Sequence, residues 1–129
     1  MKIKFFNPAS LDRNLKATVH KSGKLGFTIE AANKLELSVD KSAAIGVNED
    51  DANDPNLYVV IYSQKQDGAF KISKAGGYYY INTKALFDTL QIDYAADQPV
   101  YDIVSETIEN QQFFKFKRRD KQEKNPEKN

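Results

Sequence analysis

The chain has 129 residues, of which 40% are hydrophobic and 29% are charged, and its formal net charge is +1. This composition is typical of one folded domain with a sizeable core, and it excludes a disordered or fibrous chain. The absence of cysteine excludes disulfides, thiolate nucleophiles and cysteine-based metal sites.

The first half of the chain predicts mostly strands. Alternating side chains indicate a short strand over residues 2–6. Residues 17–47 then predict a strand, a tight turn, a return strand, a helix capped by Thr28 and an outgoing strand. The acidic segment 48–56 predicts an exposed loop, because it lacks the central glycine and terminal glutamate of a twelve-residue calcium loop. A strand over 57–62 closes this half.

The second half repeats this order. Residues 70–104 predict a strand, a Lys-x-Gly turn, a strand, a helix capped by Asn82 or Thr83 and an outgoing strand. A last strand is predicted over 113–119, and residues 120–129 predict a disordered tail because they include few apolar side chains. The shared pattern of the two stretches indicates an internal duplication. The aligned pairs are Val19 and Ile72, Lys21 and Lys74, Gly23 and Gly76, Thr28 and Asn82, Ala31 and Ala85, Leu35 and Leu90, and Leu37 and Ile92.

The short turns favour antiparallel pairing, with two helices packed against the sheets, so the sequence predicts an α+β fold. We expect a single domain over residues 1–119, made of two related halves, about 1–63 and 68–119, around a pseudo-twofold axis. Alternation along the strands and helical spacing predict the core. The predicted core residues are Leu25, Phe27, Leu35, Ile72, Ile81, Leu86, Leu90 and Phe116.

Residues 19–39 combine a turn glycine, a short apolar strand, a polar cap, a helix and a Leu-x-Leu exit. This run resembles the swapped-hairpin fold of the AbrB-type transition-state regulators. That resemblance implies a transcription regulator that binds duplex DNA as a homodimer. The order of four strands, 43–47, 57–62, 70–74 and 78–81, followed by a helix, is also similar to the repeat of the Whirly and positive-cofactor-four proteins. This second resemblance implies single-stranded DNA as the ligand.

The sequence carries no recognisable catalytic signature. The single histidine, His20, has no partner pattern around it, no serine lies in a Gly-x-Ser-x-Gly elbow, and no glycine pattern matches a phosphate-binding loop. We therefore expect no enzyme, no cofactor, no metal and no small-molecule substrate. No stretch resembles a signal peptide or could span a bilayer, so we expect no membrane partner and a cytoplasmic location.

The candidate binding residues are aromatic and basic. Tyr78 and Tyr80 alternate away from the core side of their strand, so they could stack on bases; the alternative is that a helix or the other half covers them. The basic stripe of the last strand could contact phosphates; the alternative is that its lysines protect an edge strand from pairing. The predicted nucleic-acid contacts are Lys21, Lys24, Lys74, Tyr78, Tyr80, Lys115, Lys117, Arg118 and Arg119.

We therefore expect a nucleic-acid-binding protein with a regulatory or accessory role. An alternative from another class is a non-enzymatic module that binds a peptide or a subunit through its duplicated sheet. An enzyme whose site lacks a known signature is the third hypothesis. Salt separates the first two, because phosphate neutralisation makes affinity fall linearly with the logarithm of salt concentration, whereas an apolar protein interface responds weakly.

Overall fold

The computed structural model describes residues 1–6, 8 and 14–119. Residues 14–119 contain nine strands and three short helices. In chain order these are β1 (Lys16–Val19), β2 (Lys24–Phe27), α1 (Ile29–Lys34), β3 (Ser42–Gly46), β4 (Leu57–Tyr62), β5 (Phe70–Lys71), β6 (Ser73–Ala75), β7 (Tyr78–Asn82), α2 (Lys84–Thr89), α3 (Tyr94–Asp97), β8 (Val100–Ile108) and β9 (Gln111–Arg118).

All nine strands belong to one antiparallel sheet, with the order β5-β3-β4-β9-β8-β1-β2-β7-β6. Its two end strands, β5 and β6, are separated in the chain by a single residue, Ile72. Because neighbouring Cα atoms are only about 3.8 Å apart, the two ends of the sheet must meet. The sheet therefore curls almost into a closed cylinder, with its apolar side chains inside.

The predicted α+β fold built from duplicated units is wrong, because the protein is mainly β, with one nearly closed sheet. Its helices are short, with six residues in α1, six in α2 and four in α3. Strands from the two predicted halves pair directly with each other, as Leu25 of β2 does with Ile81 of β7. A curled sheet covers most of its own apolar face, so the helices have little of it left to cover.

The local predictions agree with most element positions. Helix α1 follows Thr28, whose hydroxyl accepts a hydrogen bond from the amide of Ala31 at 3.2 Å. Helix α2 follows Thr83, but the predicted side-chain cap is wrong, because the Thr83 hydroxyl donates to the carbonyl of Gly23 at 2.7 Å instead. The predicted strand over 70–74 is divided into β5 and β6. The strand predicted over residues 2–6 is absent from the described residues 1–6. The predicted tail, 120–129, lies outside the described residues.

Six of the eight predicted core residues are buried; the exceptions are Leu86 and Leu90, which are only partly buried. Phe87 occupies the core position of α2 instead, and its ring packs against Tyr101 with the two centroids 6.4 Å apart. The rings of Phe27 and Phe116 pack edge to face, with their centroids 6.1 Å apart. Leu90 still packs against the core from the end of α2. Six helical residues are too few for apolar spacing to rank the burial of neighbouring positions, so the prediction selected Leu86 and Leu90 where Phe87 is the most buried.

Candidate functional site

Two tyrosines stand on the outer surface of the sheet. Ile81 of β7 is buried, and since side chains alternate along a strand, Tyr78 and Tyr80 point outward. The Tyr78 side chain is 40% exposed, and Tyr80 is half-buried. Their ring planes lie 23° from parallel with centroids 6.3 Å apart, so both rings present their faces in nearly the same direction.

The hydroxyl of Tyr78 is held over the neighbouring strand. A Cβ built on Gly26 of β2 would lie 1.5 Å from the Tyr78 oxygen, so only glycine leaves room for this hydroxyl. The same hydroxyl forms a hydrogen bond with Nε2 of His20, just beyond β1. Burial raises the pKa of Tyr78 above its ordinary value. The sequence shows no partner pattern for His20, and the structure gives it Tyr78 as a hydrogen-bond partner.

Sequence reasoning missed the roles of His20 and Gly26 because their contacts with Tyr78 cross the sheet, far apart in the chain. One signal was present: a glycine in the middle of a strand indicates a close approach of another group to the backbone. Gly26 has that position in β2. The identity of the approaching group, however, depends on the pairing of β2 with β7.

One lysine contacts the tyrosine pair directly. The Lys24 ammonium lies over the Tyr80 ring, 4.8 Å from its centroid. The Lys74 ammonium lies 5.1 Å from the centroid of Tyr79, with which Lys74 pairs, and both side chains are therefore on the opposite side of the sheet from Tyr78 and Tyr80. Lys21 is exposed in the turn between β1 and β2. Cation–π contacts at exposed sites contribute only about 0.5–1 kcal/mol, so these ammonium groups can exchange them for a stronger anionic partner.

Charge is distributed unevenly between this surface and the rest of the chain. Residues 16–28 and 70–84, which include β1, β2, β5, β6 and β7, contain no aspartate or glutamate. Elsewhere the chain carries thirteen basic and eighteen acidic residues. We name the outer side of β1, β2, β6 and β7, with its turns, the hairpin face. The lysines of the two acid-free segments are Lys16, Lys21, Lys24, Lys71, Lys74 and Lys84. Carboxylates from other segments approach two of them: Lys84 forms an ion pair with Asp88 at 2.9 Å, and Lys21 lines one pocket together with Asp88 and Asp93.

The basic stripe of β9 is separate from the hairpin face. Strands β8 and β1 lie between β9 and β2, a distance of about 14 Å along the sheet at ordinary strand spacing. Because β9 lies between β4 and β8, it is not an edge strand, and the edge-protection interpretation of its lysines is wrong. Lys117 is exposed and Lys115 is half-buried.

The two arginines at the end of the stripe form ion pairs within the chain. Arg118 contacts Asp97 at 3.1 Å, and Arg119 contacts Asp102 at 2.8 Å. The two arginine side chains are only 21% and 12% exposed. A phosphate would have to displace a carboxylate from each of them, which makes them weaker candidates for nucleic-acid contact than the exposed lysines of the hairpin face.

The remaining observations concern metals, membranes and known proteins. Among the described residues, no group of three or more His, Cys, Asp or Glu side chains could hold a metal ion. No helix in the described part of the chain has the length and apolar character needed to cross a membrane. Comparison with protein-family models, curated proteins and solved structures gives no significant match. The resemblances to the AbrB-type and Whirly-type proteins therefore stay predictions.

Proposed function

We propose that this protein binds nucleic acid through the hairpin face. The observation that supports the proposal is the coincidence, on the hairpin face, of lysines from sequence segments without acidic residues with two outward-facing, nearly parallel tyrosines. Lysines that neutralise phosphates release condensed counterions, which favours binding at moderate salt. The small net charge of the whole chain is compatible with this, because the acidic residues lie outside the two hairpin segments.

The structure makes some of the predicted contact residues better candidates than others. Four of them belong to the hairpin face, whereas Lys115 and Lys117 lie on a different part of the sheet. Lys74 pairs with Tyr79 and is on the opposite side of the sheet from Tyr78 and Tyr80. Arg118 and Arg119 are already paired with carboxylates. The proposed contacts are Lys21, Lys24, Tyr78 and Tyr80.

The test is the salt dependence of affinity for mixed-sequence oligonucleotides, measured by fluorescence anisotropy between 50 and 200 mM salt. Replacing Lys21 and Lys24 by glutamine should flatten the plot of log affinity against log salt. The expected reduction in slope is about 0.7 per lost contact with a single strand and about 0.9 per lost contact with a duplex. Charge removal at Lys115 and Lys117 is the matched control and should leave the slope nearly unchanged.

Two results would contradict the proposal. If the wild-type protein at micromolar concentration leaves both single-stranded and duplex oligonucleotides unbound at low salt, it does not bind nucleic acid. The exposed tyrosines would then be better explained by a protein partner. If the control variant flattens the slope as much as the hairpin variant does, the binding surface is not the hairpin face.

A further inference from the structure

The ring faces of Tyr78 and Tyr80 are organised before any ligand is present. The Tyr78 hydroxyl is fixed at two points, by its hydrogen bond to His20 and by its position over Gly26. Tyr80 lies beside it with its ring 23° from parallel, and the Lys24 ammonium is 4.8 Å from the Tyr80 centroid. Aromatic groups that are already ordered lose little conformational freedom when a flat ligand stacks on them.

We infer that this pair, which we name the tyrosine platform, takes unpaired nucleobases, so that the protein prefers single-stranded nucleic acid. The inference depends on the function proposed above and specifies its ligand. Bases in a duplex are stacked on each other and offer no free face to a side chain, whereas unpaired bases stack readily on tyrosine. Nearly parallel rings on a strand, beside exposed lysines, have the composition of a single-strand surface: aromatic groups for bases and cations for the backbone.

Lys24 connects the two parts of this surface. Its ammonium lies over Tyr80 and is exposed to solvent, so it can move to a phosphate of a strand whose base stacks on the same ring. Lys74 lies on β6 with its ammonium over Tyr79, on the opposite side of β7 from the platform. Lys24 therefore lies at the platform itself, and Lys74 does not.

His20 and Gly26 are positioning residues in this account. They do not provide the stacking surface, but they hold the hydroxyl of Tyr78 and thereby its ring. Glutamine at position 20 offers an amide oxygen that can accept a hydrogen bond from the tyrosine hydroxyl, and alanine does not. A positioning role therefore predicts that His20→Ala weakens single-strand binding and that His20→Gln restores part of it.

The experiment compares one oligonucleotide sequence as a single strand and as a duplex, by anisotropy, with the Tyr78→Ala/Tyr80→Ala variant. Stacking on tyrosine is lost for each base, so single-strand affinity should fall roughly tenfold or more, while duplex affinity should change less than about twofold. Tyr62→Ala, on β4 outside the hairpin face, is the matched control and should bind both ligands as the wild type does. Circular dichroism of each variant verifies that it is folded.

A second measurement uses the wild-type protein alone. The chain has seven tyrosines and no tryptophan, so its intrinsic fluorescence comes from tyrosine. Stacked bases should quench this fluorescence when a single strand is added, and a duplex should quench it less. The quenching should be smaller in the double variant.

The outcomes separate the two proposals. If the wild type binds duplex and single strands equally, or the double variant loses affinity for both equally, the platform inference is wrong while nucleic-acid binding stands. Single-strand affinity unchanged in the double variant, or no quenching by a bound single strand, also overturns the inference. Binding of neither ligand by the wild type removes the proposed function itself.

Discussion

Asp54 shows how a single carboxylate can organise a loop. It accepts hydrogen bonds from the Tyr58 hydroxyl at 2.5 Å, the Asn56 amide at 2.9 Å and the Asn48 side-chain amide at 3.1 Å. These bonds lower the pKa of Asp54, and the bond from Tyr58 has the largest effect on it. In the acidic segment between β3 and β4, Asp54 therefore forms its hydrogen bonds within the segment, as in an Asx turn, and with Tyr58.

The Tyr58–Asp54 hydrogen bond predicts a pH-dependent contribution to stability. Because the folded pKa of Asp54 is lowered, its contribution is complete above the unfolded pKa, about 3.9, and is lost as pH falls through the folded value. The same bond raises the pKa of Tyr58 above its ordinary value of about 10. The stabilisation by this bond is therefore also lost when the pH rises through the folded pKa of Tyr58. Tyr58→Phe should therefore lower the Tm near pH 7, and the difference from wild type should shrink toward pH 3.

The measurement is a series of thermal unfolding curves for both proteins between pH 7 and pH 3. Tyr62→Phe, at the other end of β4, should show no such pH-dependent difference from wild type. A Tm difference between Tyr58→Phe and wild type that stays constant over this range would mean that the bond to Asp54 does not carry the effect.

Helices α1 and α2 end in the same way. The amide of Leu37 donates to the carbonyl of Ala32 at 3.0 Å, and the amide of Ile92 donates to the carbonyl of Phe87 at 3.0 Å. These bonds define Schellman motifs, in which one residue after the helix adopts a left-handed conformation. That residue is Glu36 after α1, with φ of 52°, and Gln91 after α2, with φ of 58°.

Glycine at these two positions should stabilise the protein. A side chain in the left-handed region costs about 1 kcal/mol, part of which is offset by the larger entropy that glycine gives the unfolded chain. We expect Glu36→Gly and Gln91→Gly each to raise the free energy of unfolding by roughly 0.5–1 kcal/mol, measured by urea denaturation. Alanine at the same positions retains the strained conformation and is the matched control. A glycine variant less stable than its alanine counterpart would contradict this account.

The sequence predicted elements well where the signals are local. The hydroxyl of Thr28 caps α1, and alternation correctly placed Leu25 and Phe27 in the core. The strand predicted over residues 2–6 fails because a strand needs a partner, and alternation carries no information about one. The contact between His20 and Tyr78 could not be predicted for the same reason, since it depends on how strands distant in the sequence pair.

At the scale of the whole molecule, the sequence could not distinguish one sheet from several. Both arrangements bury the same alternating side chains, and the choice depends on pairings between residues far apart, such as Ala17 with Tyr101 and Val59 with Phe114. A single sheet also brings β2 beside β7, which is what places Gly26 under the Tyr78 hydroxyl. The candidate site is therefore a product of long-range strand pairing as much as of its own residues.

The segment 70–75, which contains β5 and β6 and which we name the closing segment, should link the stability of β3 and β7. Phe70 of β5 pairs with Ala43 of β3, Ser73 of β6 pairs with Tyr80 of β7, and the buried side chain of Ile72 lies between these pairings. Ile72→Ala should cost about 2–5 kcal/mol through the cavity that it leaves. Hydrogen exchange should show that the amides of β3 and β7 lose protection together, because one continuous segment pairs with both.

Ile103→Ala is the matched control, since Ile103 is equally apolar and buried but lies in β8, in the interior of the sheet between β1 and β9. That variant should lose a similar amount of global stability without selective exchange at β3 and β7. If Ile72→Ala increases amide exchange in only one of β3 and β7, the sheet opens on one side of Ile72. Residues 70–75 would then not act as a single closing segment. Equal loss of protection throughout the sheet in both variants would instead show that closure and the rest of the sheet unfold as one unit.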